Sequence, residues 1–485
     1  MRRIAVAVVG ALISTAPLVA DQFLPPYLSI ADKQGPATAN SAPFIGPAPS
    51  NANEPSLGKE TQQAPLKNDE TSSKPALETS DFDLTKNQPA EIQPFAKPPF
   101  VNGAMAPPQS NFSALSVSPA GFRFWAGSEA LLWGEKNEHL PANVVTTGLT
   151  TDAVPGALGQ PNTLGLSGPG NVNFGPFAGV RLFGGTWLDP QQILGVEASG
   201  FVLQQQGQGF TFNSTVGGNP LLALRHLDAF TGMSDAFVIA APSARSGGIA
   251  VQSTSQLWGA DAHLLHTFLW TPCFRLVGLF GFRYLDLSEG LSIQTRTMGI
   301  DGSAVSFLGQ PFAAPAYELT ADRFHARSQF FGGQVGVRGE YYFSHFFVSA
   351  TGKLALGQTD EVVNALGVST LQIGNTPLLS AAGGLFALPS NSGHFVNPDF
   401  GIVPELQLKG GVLLTRWLRA TIGYNVLFWN RVQRAGDSLD LSVDNRQVPT
   451  SPSYQAGVIG HSPQPMFNTS SFWVQGLTLG LEFTY

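Results

Sequence analysis

The chain ends on FWVQGLTLGLEFTY, residues 472–485, and no other stretch narrows the possible folds as much. Successive side chains of a strand point to opposite faces, so Leu477, Leu479, Leu481, Phe483 and Tyr485 share one face. Val474, Gly476, Thr478, Gly480, Glu482 and Thr484 share the other. Such a segment needs an apolar environment on one side and a small or polar one on the other. A soluble two-sheet stack provides that. So does a closed sheet with hydrocarbon outside and an enclosed polar interior.

Composition helps to separate the two. Only 12% of the 485 residues are charged while 43% are hydrophobic, a charge content about half that of an ordinary soluble domain. No apolar run long enough for a transmembrane helix follows the N-terminus. The net charge of −7 argues against nucleic-acid partners, which need a basic face. The single cysteine, Cys273, has no partner for a disulfide or a metal site. No motif for a cofactor, metal or catalytic centre is found.

Residues 1–20 read as an export signal: Arg2 and Arg3, an apolar core over 4–13, and a small-residue cleavage site before Asp21. Residues 21–115 read as a disordered, proline-rich, low-complexity periplasmic arm without helical or strand periodicity. Spacer and cell-wall tether are both open as its role.

From residue 120 to 485 the alternation returns in ten stretches: 122–134, 174–188, 193–206, 252–267, 274–289, 322–343, 346–359, 400–414, 418–429 and 472–485. Leu406 and Leu408 oppose Glu405, Gln407 and Lys409; Ile422 and Tyr424 oppose Arg419, Thr421 and Gly423. These four outward residues join the five of the last strand as the expected lipid face. Connections alternate in length, with long ones over 135–173, 207–251, 290–321, 360–398 and 430–470 and only short links between. An even strand count with short turns at one end and long loops at the other is the pattern of outer-membrane barrels. The fold class expected is therefore all-β, a closed antiparallel up-and-down transmembrane barrel of about ten strands. Outer-membrane lipid and, through the last strand, the barrel-assembly machinery are its expected partners. The long loops are candidates for partner recognition.

Strand parity places Arg181, Arg283, Arg338, Lys353, Lys409 and Arg419 inward, against Glu129, Glu197, Asp261, Glu340, Glu405 and Glu482. Ten strands enclose little more than barrels whose interiors are filled by side chains, so these groups are expected to pair across the lumen. Glu340–Lys353 and Glu405–Arg419 are the expected pairs across tight hairpins. A charged constriction for small solutes and a structural plug are both consistent with that balance. Gly-x-Arg recurs at Gly179/Arg181, Gly281/Arg283 and Gly336/Arg338. Trp125, Trp133, Trp187, Trp258, Tyr284, Tyr342, Trp429 and Trp473 lie near strand ends, as an interfacial girdle requires. Asp261 with His263, and Asp322 with His325, are weighed as a rim acid–histidine site but lack a paired nucleophile or metal set. Asp437, Asp440 and Asp444 lack calcium-loop spacing and read as solvated loop acids.

Several segments resemble the putative beta-barrel porin type 7 family: 140–148 (LPANVVTTG), 257–265 (LWGADAHLL), 281–287 (GFRYLDL), 383–393 (GGLFALPSNSG) and the terminal 472–483. The resemblance spans roughly 120–485 and implies a bacterial outer-membrane barrel. It brings no catalytic or ligand residues with it. The expectation from residues and resemblance together is a narrow or gated passage for small solutes. Its rival is a structural or adhesive surface barrel with a closed, salt-bridged lumen and binding by long loops.

Overall fold

The computed structural model describes residues 123–167 and 170–485. The export signal and the arm lie outside the described residues.

Ten long strands pair antiparallel with two neighbours each. In chain order they are β1 (Phe124–Glu135), β2 (Pro176–Trp187), β3 (Leu194–Leu203), β4 (Arg245–Trp270) and β5 (Phe274–Gly299). They continue as β6 (Ala316–Phe343), β7 (Phe346–Ile373), β8 (Gly393–Leu413), β9 (Leu418–Gln433) and β10 (Thr469–Thr484). Each pairs with its sequence neighbour, and β10 pairs back onto β1, with Trp125 opposite Thr484 and Glu135 opposite Val474. The sheet is thus a ring of ten strands.

The central strands run far past the stretches where apolar residues alternate outward. β6 and β7 each have 28 residues, against expected stretches of 322–343 and 346–359. Much of what was expected as loop over 290–321 and 360–398 is strand. The reason lies in the polarity of the two faces. In the half of β6 near the short turns, Val335 and Val337 are exposed outward while Gln334 is buried. Further along, Arg323 and His325 point outward, and Phe324, Ala326 and Phe330 are buried inside. The faces exchange character: one half suits an apolar surrounding, the other an aqueous one with a hydrophobic core.

That core is built by the long connections. Val145–Thr147, Leu222–Asp228 and Ser234–Ala240 form a small sheet, joined by Leu164–Gly165 and, in parallel, by Ser442–Val443. Its Val145 and Leu224 pack with Phe386 and Val443 against Ile249 of β4, Leu291 of β5 and Phe324 of β6. The segment carrying Phe386 is fixed by Asp322, whose carboxylate accepts the backbone N–H groups of Leu385, Phe386 and Ala387 at 3.0, 3.0 and 2.7 Å. The long connections, expected as loops, therefore form an ordered cap seated in the end of the ring.

At the other end the links are short: 188–193, 271–273, Ser344-His345 and 414–417. The first is tightened by Asp189, which accepts the N–H groups of Ile193 and Leu194 at 2.9 and 2.6 Å.

Candidate functional site

The middle of the ring is crossed by a buried ionic network. Glu405 of β8 takes Arg283 of β5 in close contact and also lies 3.7 Å from Lys353 of β7 and from Arg181 of β2. Asp261 of β4 takes Arg283 at 3.0 Å, Lys353 at 2.9 Å and the Ser199 hydroxyl at 2.7 Å. Glu129 of β1 takes Arg181 at 3.0 Å and Lys409 at 2.5 Å. Charges removed from water must be paired and hydrogen-bonded, and here each carboxylate holds at least two cations. Glycine lets the strands approach closely beside them. A Cβ at Gly281, two residues before Arg283, would strike the backbone oxygen of Ala262.

On the cap side of this network the interior is apolar. Leu131, Trp133, Phe177, Leu257, Leu285, Phe330, Val403, Leu427 and Trp429 are all buried and in mutual contact. Arg181 joins the two layers, its guanidinium 5.2 Å from the Trp133 ring. The expected polar interior is thus interrupted by an apolar layer. Beyond the apolar layer, Arg434 holds Glu289 at 2.6 Å, and Glu289 also accepts the Ala435 N–H at 3.2 Å. Glu138 accepts the Gly436 N–H at 2.8 Å and bonds the Ser253 hydroxyl. Burial, reinforced by the Glu289 carboxylate, pushes Glu138 up to about 8 despite the pull of Arg434.

On the short-turn side a mouth of about 320 Å³ opens below the network. Arg338 holds Glu197 at 2.6 Å and Arg419 holds Glu482 at 3.3 Å, while Glu340 accepts the Tyr342 hydroxyl at 2.8 Å. Arg123 and Arg275 also line this mouth. Neither was singled out from the sequence, because each is the second residue of its expected stretch, at the short-turn end, and only centrally placed inward charges were assigned. The presence of each within two residues of an aromatic was the available signal.

All twelve interior charges thus occur on the inner side, but the two anticipated pairs do not form. A two-residue turn sets Glu340 opposite Ser349 and Lys353 opposite Gly336. Lys353 instead faces Glu405 across the next strand pair, and Arg419 faces Glu482. The nine outward residues, Leu406, Leu408, Ile422, Tyr424, Leu477, Leu479, Leu481, Phe483 and Tyr485, are all exposed. The aromatic girdle needs correction. Trp133, Trp187 and Trp429 are buried inside, Trp125 donates inward to Glu197 at 3.3 Å, and Tyr342 bonds Glu340. Trp258 and Trp473 do face outward. Of the weighed acid–histidine pairs, Asp322 is buried under the cap while His325 points away from it. His263 has its Nδ1 3.8 Å from Asp261 and turns its Nε2 to Gln334 at 2.8 Å. Asp437, Asp440 and Asp444 serve the loop itself: His139 lies 3.4 Å from Asp437, Asp440 accepts the Ser442 N–H and Asp444 pairs with Arg446. Among the described residues no group of three or more His, Cys, Asp or Glu converges as metal ligands do.

A family model described as Putative beta barrel porin-7 (BBP7) matches residues 125–485. No curated protein matches the chain. Among solved structures, the outer membrane protease OmpT of Escherichia coli is similar at 10% identity and a TM-score of 0.36, over 77% of this chain and 99% of that one. The toluene transporter TodX of P. putida is similar at 10% identity and 0.19, over 76% and 90%. A Pseudomonas aeruginosa FadL homologue is similar at 8% identity and 0.19, over 75% and 90%. Superpositions this weak carry no inference about activity.

Proposed function

Because the chain belongs to the Putative beta barrel porin-7 family, we propose that it is a porin-type β-barrel of the bacterial outer membrane, closed at rest. In this reading the ring is a closed barrel, its apolar band meets lipid, the short turns face the periplasm and the cap faces outward. One observation carries it: the interior is filled in three successive layers. The ionic network, the Leu/Trp/Phe layer and the cap core follow one another between the mouth and the far end of the ring. The protein acts as a non-enzymatic surface barrel whose exterior face is the cap.

The open mouth favours a second reading, a passage for small solutes that conducts only when the cap lifts and the apolar layer and ionic network beneath it rearrange with it. Planar-bilayer recording separates the two. The wild-type protein is expected to give no conductance steps. Arg434→Ala removes the cation that seats the cap beside Glu289. Steps in that variant alone support the gated passage, silence in both supports the permanently closed barrel, and regular steps from the wild type overturn the closed state altogether.

A further inference from the structure

We propose that the short-turn mouth binds a small organic anion bearing a flat ring, with its acid group held between Arg123 and Arg275. The inference goes beyond the porin-type reading and does not depend on whether the interior conducts.

The charge inventory of the mouth leaves these two guanidinium groups over. Arg338, Lys409 and Arg419 each hold a carboxylate, and Arg181 and Lys353 belong to the network above. Among the described residues, neither Arg123 nor Arg275 has a carboxylate within ion-pair distance. Glu340 stands opposite Arg275 in register but accepts from Tyr342 instead. The two arginines meet at Gln192. Arg275 Nη2 donates to its backbone oxygen at 3.3 Å, and Arg123 Nε and Nη1 both reach its side-chain oxygen at 3.0 Å when the amide is turned to present it. The Nε of Arg275 is buried without a partner. Arg275 Nη2 also reaches the Thr267 hydroxyl at 3.4 Å, and a planar acid group is the natural complement of a guanidinium that still has a donor to spare.

The walls specify the rest of the ligand. The Arg275 guanidinium lies 4.1 Å from the Trp187 ring centre and 4.9 Å from that of Trp270. Trp125 packs on Trp187 at 5.5 Å between ring centres. Trp270 reaches this site through a bulge between Thr267 and Leu269, which sets it opposite Arg275; unbroken alternation would turn it outward. Charged donors set in an indole-lined recess hold a ring as well as an acid group. A volume near 320 Å³ admits one such molecule. Since every other acid and base of the mouth is matched or hydrogen-bonded, a small ligand of low charge fits better than a polyanion.

The test uses the full chain in detergent micelles, with tryptophan fluorescence and calorimetry as readouts. The probes are benzoate, phenyl phosphate and neutral benzyl alcohol. At least one of the two anions is expected to bind saturably, and the tighter of them identifies the acid group. Arg123→Gln and Arg275→Gln should each weaken that anion at least tenfold, and Arg275→Lys should recover part of the loss. Equal circular dichroism establishes folding; should Arg275→Gln fail to fold, Arg123→Gln and Arg275→Lys decide. Absence of saturable binding by either anion, equal binding of benzyl alcohol, or unchanged affinity in a folded Arg→Gln variant would overturn the site.

Discussion

Lys353 Nζ lies 2.9 Å from Asp261 Oδ2, although β7 and β4 are separated by two strands around the ring. Contacts along the sheet cannot produce such a pair; it spans the interior. Arg181 to Glu405 and Arg283 to Glu405 span it too. Side chains from opposite walls touch because a ring of ten strands is narrow enough for them to meet.

Glu405→Ala is expected to be among the most damaging single changes. It leaves Arg283 with Asp261 alone and strips Arg181 and Lys353 of one partner each, all buried. Uncompensated buried charge costs about 3–5 kcal/mol. Glu482→Ala, at the half-open mouth with Arg419, should cost about 1 kcal/mol or less. Urea unfolding in lipid vesicles measures both, and equal losses would show that the network is not desolvated.

The outward band makes a depth-dependent prediction. Leu479→Arg near the middle of that band should destabilise by about 2–4 kcal/mol, and Tyr485→Arg at its short-turn edge by about 0–1 kcal/mol. The same unfolding measurement tests this. Similar small costs at both positions would mean that the band does not meet hydrocarbon.

Trp429 tests the apolar layer. It is fully buried and donates its Nε1–H to Thr359 at 3.0 Å. Trp429→Ala should cost about 3–5 kcal/mol. Because the ionic network lies on the mouth side of it, bilayer recordings of this variant should stay silent.

Glu138 gives the cap a pH dependence of defined sign. Its carboxyl is raised from 4.5 to about 8, so the folded protein keeps a proton that the unfolded chain has lost. Stability from this group is fully present below about pH 4.5 and declines as pH rises toward about 8. Glu138→Gln should make the fall in thermal stability across that window shallower. A slope unchanged by the substitution, or one rising with pH, would contradict the assignment.

The short-turn half of the ring was legible because hydrocarbon-compatible and interior residues alternate there without interruption, as at Leu477–Phe483 and Leu406–Lys409. The long-loop half was not, for a definite reason. Where Ser292 and Gln294 point out and Leu291 and Ile293 point in, alternation persists with its sense reversed. A reading keyed to apolar-out therefore ended the strands too early. The hairpin pairs failed for another reason. Charge type does not encode register, and the two-residue turn at Ser344-His345 sets Glu340 against Ser349. Trp270 and Arg275 became neighbours through a bulge, which shifts parity at one residue and leaves little composition signal.

Within the apolar band of the proposed barrel, one face of each strand meets lipid while the other packs against the ionic network and the apolar layer above the mouth. Spin labels placed singly at residues 474–483, in a Cys273→Ser background, test it most directly. Leu477, Leu479, Leu481 and Phe483 should be open to oxygen and closed to a water-soluble nickel chelate. Val474, Gly476 and Thr478 should be closed to both. Ready access of the chelate to that second set would reveal a water-filled interior and contradict the account.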